Sequence, residues 1–222
     1  RFALAQYEFT TKGPKIIWFP FWILISSRPR QWLKNLALFA PLVFEGEFFK
    51  GDKFATVFLG FVIFSAVTSA IYIINDVIDV KKDRSHPFKS KRPIASGRVN
   101  QFWAVGVAFA ILGISLLFSS RFSTFFTVAI AIYAILQIVY SLFLRSVILL
   151  DVMAIASGFL LRVYAGAVLI DAHVTIWFIL TVASLALFLA IGKRRSESTL
   201  LLASESHDLT TRSILLHYPE PL

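Results

Sequence analysis

The sequence predicts an all-α, multi-span transmembrane helical bundle, and three observations carry that prediction. Of 222 residues, 57% are hydrophobic and only 16% are charged, against about 45–50% and about 25% in a soluble domain. The apolar residues come in unbroken runs, not in the strict alternation that a membrane β-barrel needs. The runs also approach or exceed the roughly 20 residues of helix that cross a bilayer core. An ordinary cytosolic globule, a disordered tail and a collagen-like rod are disfavoured on the same grounds. The chain contains no Cys, which removes disulfides and thiolate metal sites.

The runs follow in order. Residues 54–74, 102–118 and 122–144 carry no charged side chain. Residues 146–170 form a fourth run, which holds Asp151 and Arg162, and 174–192 form a fifth. A sixth, weaker candidate covers 36–49. Pro41 interrupts it and Glu45 and Glu47 burden it, so it should begin at 32–35 as a partly interfacial helix. Residues 16–25 are apolar but broken by Pro20, and read as interfacial. The chain therefore divides into an N-terminal cytoplasmic or interfacial segment, 1–27, and a transmembrane domain, 28–222.

The net charge of +9 would suggest nucleic acid in a soluble domain. Here it maps topology. With six spans, one side collects Arg28, Arg30, Lys34, the basic 79–98 loop, Arg145 and 193–195, and only Lys50, Lys53 and Arg121 fall opposite. Loops rich in Lys and Arg stay cytoplasmic, so no nucleic-acid partner is expected and the basic side faces the cytoplasm.

One stretch asks for more than topology: Asn75-Asp76-Val77-Ile78-Asp79-Val80-Lys81-Lys82-Asp83. Asp76, Asp79 and Asp83 recur at i, i+3 and i+7. On a continuous helix these share one face over about 10 Å. Stacked carboxylates repel and are costly beside lipid, so a cation should neutralise them. Hard oxygen ligands next to a phosphate suit Mg²⁺. The plain alternative is a solvated acidic helix end paired with Lys81, Lys82 and Arg84. A basic loop follows, from Arg84 through Lys89, Lys91 and Arg92 to Arg98, shaped by Pro87, Pro93 and Gly97. An acidic face with such a loop can hold a diphosphate from both sides, a metal bridging it and Lys91 and Arg92 on its free oxygens.

The pattern Asn-Asp-x-x-Asp-x-x-x-Asp at 75–83, with Lys-Arg-Pro-Ile-Ala-Ser-Gly at 91–97, resembles the UbiA superfamily of intramembrane prenyltransferases. Residues 28–35 ahead of 40–42, then 140–145, Asp151-Val152, 157–162 and 192–197, are similar to one branch, the phosphoribosyltransferases that act on decaprenyl phosphate. The resemblance runs from about Arg28 to Tyr218. It implies a helical bundle open to the cytoplasm, with Mg²⁺ on Asp76, Asp79 and Asp83 as the catalytic acids. It extends substrate binding to Lys34, Asn75, Lys91, Arg92, Tyr140, Arg145, Arg162, Lys193 and Arg194. Nine spans are usual in that superfamily, and about six are visible here, so the chain reads as C-terminally incomplete.

One departure bears on the donor. Superfamily members that use prenyl diphosphates carry a second Asp-rich motif after the sixth span. Here that position reads Lys193-Arg194-Arg195-Ser196-Glu197. Three bases there suit an additional phosphate, on a ribose or on a lipid. The expected reaction is Mg²⁺-dependent transfer of 5-phosphoribosyl from phosphoribosyl diphosphate to a polyprenyl phosphate. It would serve cell-envelope arabinan or glycolipid precursor synthesis at the bacterial cytoplasmic membrane. The alternatives are a prenyl diphosphate donor with an aromatic or other small acceptor, and a non-catalytic membrane carrier or assembly subunit. Among the remaining residues, His86 reads as a loop hydrogen-bonder, Gln137 as a helix–helix partner, and Ser157, Gly158 and Gly166 as sites of close helix packing.

Overall fold

Several helices begin where the sequence supplies a cap or a proline. In the computed structural model, which describes residues 18–144 and 147–203, α1 is Phe19–Ser26, with Pro20 in its first turn. A 3₁₀ helix, Pro29–Phe39, leads directly into α2, Ala40–Phe44. The long α3 is Gly51–Ile78, and α4, Val80–Arg84, restarts after Asp79. Next come α5, Gln101–Ser119, and α6, Thr124–Leu142. Asn100 and Ser123 cap these two, their side-chain oxygens accepting from the backbone N–H of Phe102 and Phe125. The last two are α7, Ile148–Leu169, and α8, Ile176–Ala203.

Five of these helices (α3, α5, α6, α7 and α8) are long and apolar enough to cross a membrane. They overlap the five strong runs of the sequence. Their outward faces carry large apolar side chains such as Phe102, Phe109, Trp177 and Phe188, as lipid contact requires. The chain is a multi-pass membrane protein. At its centre α3 packs against the 3₁₀ helix, α5, α6 and α7. Phe64, Val67 and Ile71 of α3 share a core with Phe126, Ile130 and Tyr133 of α6 and Ala165 of α7.

The sixth candidate differs from expectation. It runs alongside α3, but as a 3₁₀ helix from Pro29 and a short α-helix, not as one α-helix from 32–36. The indole N–H of Trp32 donates to Ser69 Oγ at 2.9 Å and the amide of Asn35 donates to Ser65 Oγ at 3.0 Å. Phe39 packs at a tilt against Phe61 and Phe54, and Phe44 meets Phe178 at the start of α8. The segment thus descends α3 over most of its length. A 3₁₀ helix rises about 2.0 Å per residue against about 1.5 Å in an α-helix. Eleven residues of the first and five of the second therefore reach about 30 Å. The three-residue repeat also explains the burial: Asn35, Leu38 and Pro41 are buried, whereas Leu33 and Leu36 face outward. Glu45 and Glu47 follow the end of α2. Lys50 donates to Glu47 at 2.7 Å and Lys53 also pairs with it, which holds the Glu47 carboxyl below the usual carboxylate range.

The basic loop after α4 is anchored, not loose. Ile94, Ala95 and Val99 are buried with Ala70 and Ile73 of α3 and Ala104 and Ala108 of α5, and Phe19, Trp22 and Ile23 of α1 pack on the same cluster. The Arg84 Nε–H donates to the Ala95 carbonyl at 3.1 Å, and Arg98 lies over the Trp22 ring at 4.5 Å. His86 caps the turn between, its Nδ1 accepting from the backbone N–H of Phe88 at 3.2 Å.

The tightest helix contact is at Gly166, where a Cβ would collide with the backbone of Leu38 in the 3₁₀ helix. Gly166→Ala should therefore destabilise the protein by about 1–3 kcal/mol. Gly113→Ala, in open space on α5, should be neutral or stabilise it by about 0.5–1 kcal/mol. Thermal melts of the two variants in the same detergent separate these outcomes.

Candidate functional site

At the end of the bundle where α3 gives way to α4, a cavity of about 820 Å³ opens. Four acid-motif residues form one wall: Asn75, Asp76, Asp79 and Asp83. The expectation of one continuous helical face is corrected at Asp79, where α3 ends and α4 restarts. The break is slight. Asp79 N–H still bonds Asn75 O at 2.9 Å, and Asp83 N–H bonds Asp79 O at 2.8 Å, so all three carboxylates keep to the same wall.

Two arginines neutralise this wall. Arg28 Nη2 donates to Asp76 Oδ1 at 2.5 Å. Arg92 Nη1 bridges the cluster, donating to Asp76 Oδ1 at 3.3 Å and to Asp83 Oδ2 at 2.6 Å. Arg28 reaches the site because of a backbone feature. It sits between α1 and the 3₁₀ helix at φ 52° and ψ 65°, a left-handed conformation that is costly for a non-Gly residue and more so before a proline. The turn aims its guanidinium at Asp76 and places it over the Tyr72 ring at 5.0 Å. Sequence reasoning did not single out Arg28, since a backbone turn and not a motif spacing puts it there.

Among the described residues, no three acidic or His side chains converge into a ready-made metal cage. The donor set still fits Mg²⁺ in the way that ion is normally held, by one or two carboxylates with substrate oxygens and water completing the shell. Asn75 adds an observation in favour. Its Oδ1 is buried and has no hydrogen-bond partner, leaving a hard oxygen beside the carboxylates with its acceptor capacity unused.

The other predicted residues separate. Lys34, Arg92, Tyr140, Arg162, Lys193 and Arg194 line the cavity with the acids. Lys91 is exposed and does not line it, whereas Lys82 and Lys89 do. The cause is local: a three-residue 3₁₀ turn, Lys89–Lys91, rotates Lys91 outward. Arg145 lies outside the described residues. Arg194 is 1% exposed and ion-paired with the equally buried Asp151. The Tyr140 hydroxyl donates to Asp151 Oδ1 at 2.7 Å, and Arg194 Nη2 donates to the same oxygen at 2.9 Å. Arg194 and Tyr140 thus reach the cavity from a buried triad that ties α6, α7 and α8 together. Arg162 lies deeper, bonded to Asn35, Tyr133 and the Gly158 carbonyl. Gln137 lines the cavity next to Gly158.

A bundle of apolar, membrane-length helices thus holds one polar cavity in which an acid wall and cations from other elements meet. Residues 36–195 match the UbiA prenyltransferase family, and the chain belongs to that family. It is 41% identical over 179 residues to a decaprenyl-phosphate phosphoribosyltransferase of Mycolicibacterium smegmatis, covering 79% of this chain and 56% of that protein. Proteins of the same name from Corynebacterium glutamicum and Mycobacterium tuberculosis are 38% and 37% identical, covering 78% and 79% of this chain and 53% and 59% of theirs. The chain thus spans somewhat more than half the length of these relatives. Its fold matches a solved UbiA homolog from Archaeoglobus fulgidus bound to DMAPP and Mg²⁺, with a TM-score of 0.67 and 24% identity over 80% of this chain and 64% of that one. The same homolog bound to GPP and Mg²⁺ gives a TM-score of 0.69 at 22% identity, over 88% of this chain and 69% of that one.

The Asp151–Arg194 pair generates a prediction. Removing one partner of a buried ion pair leaves an uncompensated charge, at a cost of about 3–5 kcal/mol. Asp151→Asn should lower the melting temperature sharply. The double change Asp151→Leu with Arg194→Met should recover most of the loss. Equal melting of wild type and Asp151→Asn in detergent would show that the pair contributes no stability.

Proposed function

We propose that this chain carries the site of an Mg²⁺-dependent transferase that moves 5-phosphoribosyl from phosphoribosyl diphosphate to a polyprenyl phosphate. The observation that carries the reading is the charge layout of one cavity. Three carboxylates and Asn75 stand on the α3–α4 wall, and Lys34 and Lys193 stand on other elements around it. The names of the relatives support the donor and acceptor. The place is the bacterial cytoplasmic membrane, with the cavity mouth on the cytoplasmic side; the Lys- and Arg-rich loop at that mouth supports the orientation.

Asp76, Asp79 and Asp83, with Asn75 Oδ1 available beside them, would hold the metal at the diphosphate. When bound, Mg²⁺ supplies neutralisation of charge on the leaving diphosphate. Arg28 and Arg92, already at the acid wall, are placed to exchange carboxylate contacts for phosphate oxygens, and Lys82 and Lys89 add cations at the mouth. An oxygen of the acceptor phosphate attacks ribose C1 while the C1–O bond to the diphosphate breaks, and the bonding electron pair leaves with the diphosphate. The acceptor oxygen is anionic at neutral pH, so no side chain has to remove a proton. What the protein contributes is position and fixed charge around an oxocarbenium-like carbon. Ile155, Phe159 and Leu189 give the cavity an apolar side between α7 and α8, suited to a prenyl chain. Products of this kind serve cell-envelope arabinan or glycolipid assembly.

Membranes containing the protein, given either labelled phosphoribosyl diphosphate with polyprenyl phosphate or a labelled prenyl diphosphate, decide the donor. Label should enter lipid from the phosphoribosyl donor. Incorporation from the prenyl donor alone would overturn the reading in favour of a prenyltransferase, and binding without a covalent product would favour a carrier. Asp76→Asn should cut turnover by about 100-fold or more while the protein still purifies as a folded membrane species. Wild-type turnover in that variant, with Mg²⁺ supplied, would contradict the metal assignment.

A further inference from the structure

Arg162 is a buried cation whose described partners carry no negative charge. It is 5% exposed. Its Nε–H donates to Asn35 Oδ1 at 2.8 Å, its Nη1 to the Gly158 carbonyl at 2.7 Å and its Nη2 to the Tyr133 hydroxyl at 2.6 Å. The rings of Phe64, Tyr133 and Phe159 lie 5.6, 4.7 and 5.5 Å from the guanidinium carbon. A guanidinium has five N–H donors, and these three bonds leave capacity for more. The charge itself costs at least about 2.5 kcal/mol near mid-bilayer, and none of these three neutral acceptors offsets it fully. The surroundings add positive charge, since Lys34 lies within electrostatic range of both Lys193 and Arg162. All three line the same cavity. Mutually repelling cations around a common space are stabilised when an anion sits between them.

The depth is informative. Asn35, which holds Arg162, bonds Ser65 and Thr68 of α3, and Phe64 touches the guanidinium. These positions lie two to three helical turns below Asp76, about 12–18 Å along α3. An anion at Arg162 is therefore a different group from the diphosphate at the acid wall.

We propose that Arg162, flanked by Lys34 and Lys193, is the specificity-determining anchor for a phosphate monoester seated below the acidic mouth of the cavity. The proposal rests on the phosphoribosyl reading for its substrates, which offer two sources of that chemistry: the phosphate of the lipid acceptor and the 5-phosphate of the ribose. Asn35 and Tyr133 act as positioning residues that orient the guanidinium.

The test is equilibrium binding to the purified full chain in detergent with EDTA present, so that no metal and no turnover enter. The probes are farnesyl monophosphate against farnesol, and ribose 5-phosphate against ribose. Wild type should prefer at least one phosphorylated probe over its alcohol. Arg162→Gln should lose that preference by about tenfold or more. Arg121→Gln, which removes an exposed cation outside the cavity, should keep it. Loss confined to farnesyl monophosphate assigns the site to the acceptor lipid, and loss confined to ribose 5-phosphate assigns it to the donor. Should Arg162→Gln melt below the assay temperature, Arg162→Lys, which keeps the charge but not the forked donors, should lose severalfold on the same probe. An unchanged preference in a folded Arg162 variant, or none in wild type, overturns the proposal. A failed labelled-donor assay leaves this binding result standing, and the reverse holds too.

Discussion

The structure depends on how it handles carboxylates sunk into the end of a membrane bundle. Asp76 and Asp83 are both buried, where an unpaired charge is costly. Arg92 spans the two, and Arg28 closes on Asp76 from the other side. Those contacts dictate much of the surrounding architecture. Arg28 can reach only if the chain turns sharply between α1 and the 3₁₀ helix. Arg92 can reach only if the basic loop is pinned, which Ile94 and Ala95 achieve by packing into the α3–α5 core. On the proposed reading, the groups that neutralise the acid wall are the same ones a metal–diphosphate pair would meet.

A second layer of order lies beneath. The 3₁₀ helix looks like a poor way to cross a membrane, because its hydrogen bonds are less well aligned than those of an α-helix. It nevertheless brings three consecutive positions of one face, Trp32, Asn35 and Leu38, against α3 and α7. Trp32 bonds Ser69, Asn35 joins Ser65 to Arg162, and Leu38 lies where Gly166 leaves room for its backbone. An α-helix, with 3.6 residues per turn, would rotate Leu38 away from that line. The polar residues that weakened this segment as a span are therefore the ones that hold it in place.

Most of the fold was legible in the sequence, because unbroken apolar runs of the right length have few other uses. The acid wall was legible for a similar reason: carboxylates at i, i+3 and i+7 next to lipid need a compensating cation. What could not be read depends on backbone geometry that composition does not encode. The left-handed turn at Arg28 is one case, and the short turn that leaves Lys89 but not Lys91 lining the cavity is another. Lys193 and Arg194 are a third. They look equivalent in a basic cluster, yet one residue of helix is a rotation of about 100°. That step sends Arg194 to Asp151 in the α7 interface and leaves Lys193 more exposed on the cavity side.

This separation of roles gives the cavity a direction. Acids and their arginines stand at the mouth, Lys34 and Lys193 line the cavity from other elements, and Arg162 lies below, its described partners all neutral. A substrate carrying anionic groups at two separated points is held in one orientation by such a gradient, because the metal-binding end and the cation end accept different charge densities. On the proposed reading, a substrate pair with phosphate on both sides of the reacting carbon meets both the acid wall at Asp76 and the cation at Arg162.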